Sequence, residues 1–149
     1  MRNNLLLSIK PKYAKKIYTG EKTVELRKTK PDIGYGDTVF IYETSPVKAI
    51  TGFFIVDYIS EIRNPQTMIL DNKNSACITI EDYKKWIGNS KKLVMIYIGD
   101  RKMIPAIQLD KLRKELNINA PQSYRYLTEE QAEELIYWES NHYWESDKL

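Results

Sequence analysis

Two runs of β-branched and aromatic residues, Thr38 to Thr44 and Ala49 to Ile59, are separated only by a turn at Ser45-Pro46. This pair restricts the fold more than any other part of the chain. Such runs read as strands. A connection this short makes them antiparallel neighbours, because a parallel pair needs a crossover of about a dozen residues or more. Gly52 falls inside the second run, where a glycine marks a bulge or a close backbone approach. Leu5 to Ile9 reads as an earlier strand, and Leu93 to Ile98 and Met103 to Ile107 as two later extended pieces. Helices are expected from Pro11 to a stop at Gly20, from Asn64-Pro65 through Leu70, and from a Thr79 cap to Gly88. Two more follow, Leu109 to Leu116 and a last one opened by Thr128 with Gln131 and carrying Ala132, Leu135, Ile136 and Trp138. There is no internal repeat and no long linker. The expectation is α+β: one small, mostly antiparallel β-barrel with several short helices around it.

The first helix leads into Gly20-Glu21-Lys22-Thr23-Val24-Glu25-Leu26-Arg27. On a strand, Val24 and Leu26 face one side and Thr23, Glu25 and Arg27 the other. An ammonium, a carboxylate and a guanidinium gathered at one helix-strand junction can recognise a phosphate or a base edge, or do acid-base chemistry. They can equally be exposed cross-strand ion pairs worth a fraction of a kcal/mol. Lys12, Lys15 and Lys16 line the wet side of the helix just before them. The net charge is only +3, but it is unevenly spread, with a basic front half and an acidic segment from Glu129 onward. That dipole fits polyanion binding through the front, and it also fits two solvated faces.

Other chemistries are excluded more firmly. With one cysteine, Cys77, there is no internal disulfide or multi-cysteine zinc site, and with one histidine, His142, no clustered metal site. Cys77 reads as an inert buried thiol. Glycine-rich phosphate loops, nucleophile elbows and Cys-x-x-Cys pairs are missing. No cofactor is expected. With no apolar run near membrane-spanning length and no secretory leader visible, a cytoplasmic location away from membranes is the default. Tyr42, Tyr124 and Tyr126 are stacking surfaces for bases or half-buried core residues.

The order of segments resembles one known family. Ser8-Ile9-Lys10-Pro11-x-Tyr13-Ala14, then Gly20-x-Lys22-Thr23-Val24-Glu25-Leu26-Arg27, looks like the signature of the ASCH domain of the PUA-like superfamily. Gly36-Asp37-x-Val39-x-Ile41-Tyr42, Ser45-Pro46, Ala49-Ile50-x-Gly52 and Pro121-Gln122-Ser123-Tyr124-x-Tyr126-Leu127 continue the likeness. The resemblance implies an ASCH domain over 1–127, with an acidic helix over 128–149 packed on it. It implies a PUA-like barrel whose cleft beside the first helix binds RNA, single-stranded DNA or a nucleotide-like ligand, in an RNA-binding or regulatory role. Matched by position, the cleft residues are Ser8, Lys10, Lys22, Glu25, Arg27, Tyr42 and Thr44, closed by Gln122, Ser123 and Tyr124, with Lys12, Lys15 and Lys16 on phosphates. Some family members are amidohydrolases of acylated cytidine and others nucleases, which would make Lys22 and Glu25 catalytic groups. Lys22 matches the amidohydrolase lysine, but Glu25 stands where those enzymes carry their threonine nucleophile. That departure favours binding over catalysis.

Overall fold

The computed structural model of the chain describes residues 3–67 and 73–137. In chain order it runs β1 (Asn4–Ile9), α1 (Pro11–Thr19), β2 (Val24–Arg27), β3 (Thr38–Glu43), β4 (Ala49–Arg63), a 3-10 turn (Pro65–Thr67), α2 (Lys73–Ala76), α3 (Ile80–Ile87), β5 (Lys92–Gln108), α4 (Leu109–Leu116) and β6 (Tyr124–Leu127), with a last helix over 129–137. The strands form one sheet in the order β2-β5-β4-β3-β1-β6. Among the described residues only β1 and β3 pair in parallel; every other ladder is antiparallel. The sheet curls in the barrel-like manner of PUA-like folds but does not close by backbone pairing, so β2 and β6 remain its two edges.

The run Leu5-Leu6-Leu7 explains why β1 lies inside the sheet. Leu5 and Leu7 join a core with Val39, Ile41, Phe54, Val56 and Ile96, sealed by Ala14 and Ile17 of α1. Leu6 faces the opposite way into a second core with Phe40, Ile50 and Ile107, covered by Leu112 of α4 and by Ala132 and Leu135 of the last helix. A strand paired in parallel and apolar on both faces must be covered on both. A third cluster packs Tyr83 and Ile87 of α3 against Val24, Leu93 and Met95.

Local signals behave as expected. Gly20 ends α1 in the left-handed region, at φ 89°. Thr79 accepts the Asp82 N–H at 3.0 Å, and Thr128 and Gln131 make a reciprocal capping box at 3.0 Å each way. At Gly52 the β4–β5 register shifts, and a Cβ there would collide with the Lys102 backbone oxygen and stand 2.6 Å from Tyr18 Oη.

Four expectations are corrected. The pieces Leu93 to Ile98 and Met103 to Ile107 belong to one 17-residue strand, β5. Asn64, at φ 55°, opens no long helix but leads into the short 3-10 turn, while Met68, Ile69 and Leu70 lie outside the described residues. β4 continues to Arg63, past Ile59. Cys77 is only partly buried, with a left-handed backbone at φ 59°. Trp138 and His142 lie outside the described residues. No described helix is long and apolar enough to cross a membrane.

Candidate functional site

The junction of α1 and β2 is built by backbone. Pro11 starts α1 with no N–H that would need an acceptor, so β1 passes into the helix through Lys10 alone. After Gly20 reverses the chain, the Lys22 N–H donates to Lys16 O at 2.9 Å and the Thr23 N–H to Ser75 O at 2.8 Å. These bonds swing the Lys22 side chain inward. β2 then pairs with β5, which puts Glu25 and Arg27 on one face and Val24 and Leu26 on the other, packed on the third cluster.

The three charged groups converge. Lys22 Nζ lies 3.2 Å from Glu25 Oε1 and Arg27 Nη2 lies 2.8 Å from Glu25 Oε2. Lys22 is 3% exposed and Glu25 7%, so neither is a solvated surface charge. An ammonium has three donors, and Lys22 directs them at Val24 O (2.7 Å), Ala76 O (2.9 Å) and Glu25. Arg27 places Nε and one Nη2 proton on Glu25 Oε2, the other Nη2 proton on Ser8 O at 2.7 Å, and one Nη1 proton on Ser123 Oγ at 3.2 Å. Of its five donors, a single Nη1 proton has no partner among the described residues. Burial by itself would raise the Glu25 pKa, but the charges of Arg27 and Lys22 and their hydrogen bonds outweigh it and hold the carboxyl below the ordinary value. The cluster is a largely buried network in which Lys22 and Glu25 are fully engaged and the partly exposed Arg27 keeps that one free proton, and not a set of weak surface pairs. Removing one member strands the others in low dielectric.

Above this floor lies a cleft of about 490 Å³. It is lined by Ser8, Lys10, Lys12 and Tyr13 from β1, α1 and the link between them, by Lys22, Glu25, Leu26 and Arg27 in and just before β2, and by Ala76, Ile78, Asp82 and Trp86 from α2, α3 and the link between those. Lys10 and Lys12 are exposed. The Tyr13 ring has two cations near it, Lys12 Nζ at 4.9 Å and Lys22 Nζ at 5.4 Å from its centroid.

Of the expected residues, Ser8, Lys10, Lys12, Lys22, Glu25 and Arg27 line this cleft, while Ser123 reaches it only through Arg27. The Ser8 hydroxyl is turned away, donating to Pro121 O at 2.6 Å. Lys15 and Lys16 stay on α1 outside the lining. Tyr42 is not a cleft residue: it is 4% exposed and packs in the second core, where burial raises its pKa. Thr44 sits in the turn after β3, its N–H on Ile9 O, and Gln122 is exposed. Tyr124 packs against the first core and meets Tyr126 edge-on at 6.0 Å, so it is no lid. The sequence reading missed Tyr13 and Trp86 as walls. Tyr13 stands inside the resemblance motif beside Lys12, which was the available signal. Trp86 read only as the apolar face of α3, and nothing in the sequence says which strand that helix meets.

An open PUA-like α+β sheet with an acid-bridged basic cleft at its seam defines the class. The ASCH domain family model matches residues 7–138, and the chain belongs to that family. A Zymomonas mobilis protein named an ASCH domain-containing ribonuclease is 29% identical over 136 residues, 91% of each chain. The crystal structure of ASCH from Zymomonas mobilis superposes with a TM-score of 0.82 at 28% identity, covering 91% of this chain and 95% of that one. The N-terminal domain of Staphylothermus marinus McrB shares the fold alone, with a TM-score of 0.53 at 10% identity over 87% of this chain and 91% of that one.

Proposed function

We propose that this protein binds single-stranded RNA, or a nucleotide-like piece of it, in the cleft beside α1. The carrying observation is the juxtaposition of exposed Lys10 and Lys12 with the Tyr13 and Trp86 rings around one 490 Å³ cleft. Cations that can meet phosphates beside flat rings that can stack on bases are what single-strand recognition uses. The name of the Zymomonas mobilis relative supports an RNA ligand. Lys22 and Glu25 serve this reading as the rigid floor. The test is fluorescence anisotropy with an unstructured oligoribonucleotide over a salt series. Binding that weakens as salt rises, and weakens further in Lys12→Ala and Trp86→Ala, is the expected result. An affinity independent of salt overturns it.

A second reading, RNA cleavage, is favoured by the relative's name. Here Lys22, with its donors engaged, acts only as a fixed charge, and Glu25 as a weak proton acceptor because its pKa is low. RNA hydrolysis that persists in EDTA and is lost in Glu25→Gln of native circular dichroism supports this reading. Intact RNA after prolonged incubation removes it. Hydrolysis of acylated nucleosides fares worse, since a carboxylate stands where the threonine hydroxyl would be.

A further inference from the structure

Next to the main cleft is a smaller one of about 200 Å³, lined by Arg27, Lys28, Thr29, Trp86 and Ser123. Arg27 and Trp86 line both, so the guanidinium floor and the indole wall are shared. We propose that this smaller pocket is a phosphate subsite, which makes the preferred ligand a strand carrying an internucleotide phosphate and not a free nucleoside. The proposal rests on the RNA-binding reading above.

Three observations carry it. The first is charge. The main cleft contains the carboxylates of Glu25 and Asp82, whereas the smaller pocket has two cations, two hydroxyls and no carboxylate. The second is donor supply. Arg27 is fixed from behind by Glu25 and Ser8, and its one uncommitted proton is on Nη1, the nitrogen that reaches Ser123 Oγ. A guanidinium pre-oriented in this way loses little freedom when it takes an oxyanion. The third is Lys28, whose Nζ lies 5.1 Å from the Trp86 ring centroid and pairs with no described carboxylate. Lys28 thus lies over the indole, and Arg27 shares both pockets with it. A base stacked on Trp86 in the main cleft would present its adjoining phosphate to this cationic corner.

The experiment uses a 2′-O-methyl oligoribonucleotide of eight residues, which resists cleavage, with a neutral methylphosphonate walked through one linkage at a time. One position should cost the wild-type protein roughly tenfold in affinity, the loss expected for one charge-assisted hydrogen bond. In Lys28→Ala the same position should cost clearly less, since only the Arg27 donor then remains, while Lys28→Arg restores the penalty. Lys28 is exposed, so the variant keeps its fold, checked by thermal melting. Equal penalties at every linkage, or a penalty unchanged in Lys28→Ala, overturn the subsite while leaving RNA binding intact. Failure of the unmodified oligonucleotide to bind overturns the parent reading instead.

Discussion

Arg27, on the edge strand β2, donates from Nη2 to the backbone oxygen of Ser8 on β1 at 2.7 Å, across the one seam the sheet leaves open. From Nη1 it also reaches Ser123 Oγ, just before the opposite edge strand β6. Backbone ladders hold five of the junctions around this barrel-like sheet, and a side chain bridges the sixth. The cleft is the remainder of that seam. The same guanidinium that ties the edges together is ion-paired with Glu25, so the floor of the site and the closure of the fold are one structure.

Arg27→Lys should therefore loosen the seam selectively. A lysine can keep a charge near Glu25 but cannot reach Glu25, Ser8 O and Ser123 Oγ together. The expected loss of stability is about 1–3 kcal/mol. Native-state hydrogen exchange should show faster exchange at the β2–β5 pairing from Val24 to Arg27, with the β3–β4 amides unchanged. Uniform acceleration across the sheet would mean that Arg27 does not act as a local clasp.

Glu25 gives the network a pH signature. Its pKa in the folded protein is lowered below the ordinary value. In the window between the folded value and the ordinary value of about 4.3 the unfolded chain binds the extra proton, so stability rises with pH there. The contribution is fully present above that window and is lost as pH falls through the folded pKa. Glu25→Gln should melt lower at neutral pH, by about 3–5 kcal/mol of stability for a broken buried pair. It should also show a shallower fall in Tm below pH 4.3 than wild type. Parallel acid limbs for the two proteins would contradict the role given to Glu25.

Lys22→Met should cost stability as well as any function. It removes the donors to Val24 O and Ala76 O and one of the two cations beside Glu25. The expected loss is again about 3–5 kcal/mol. Combined with Glu25→Gln, the double variant should be clearly less destabilised than the sum of the singles, because each already breaks the shared pair. Additive effects in denaturant melts would show that the two residues are not coupled. A fall in activity in Lys22 variants is informative only beside such a melt.

Much of this was readable from sequence where the signal is local. Pro11 and Gly20 bound α1, Thr79 caps α3, and the period of two on β2 puts Glu25 and Arg27 on one face. What failed depends on pairing between distant segments. The stretch Gly99 to Lys102 falls outside both expected pieces, yet Arg101 and Lys102 pair with Phe54 and Phe53 in the ladder to β4, and Pro105 further on lies where that ladder skips between Ile50 and Gly52. A residue with no N–H is tolerated at such an irregularity. Tyr42 pairs with Ser8 in the β1–β3 ladder, and its burial follows from Phe40 and Leu6 sharing its face, a register no local pattern displays. The ionic cluster was legible as a set of charges, but one of the carbonyls that holds Lys22, Ala76 O, comes from α2, far along the chain.

Salt dependence separates the outer lysines from the buried network. For single strands, the slope of log affinity against log salt falls by about 0.7 for each phosphate contact removed. Lys10→Ala and Lys12→Ala should each flatten the slope by about that amount with little change in melting temperature, both side chains being exposed. Trp86→Ala should instead weaken binding equally at every salt concentration, because stacking carries no counterion release. Anisotropy titrations with one oligoribonucleotide at four salt concentrations distinguish the two behaviours. A flattened slope in Trp86→Ala, or an unchanged one in Lys12→Ala, would show that phosphates and bases do not lie on the sides of the cleft assigned to them.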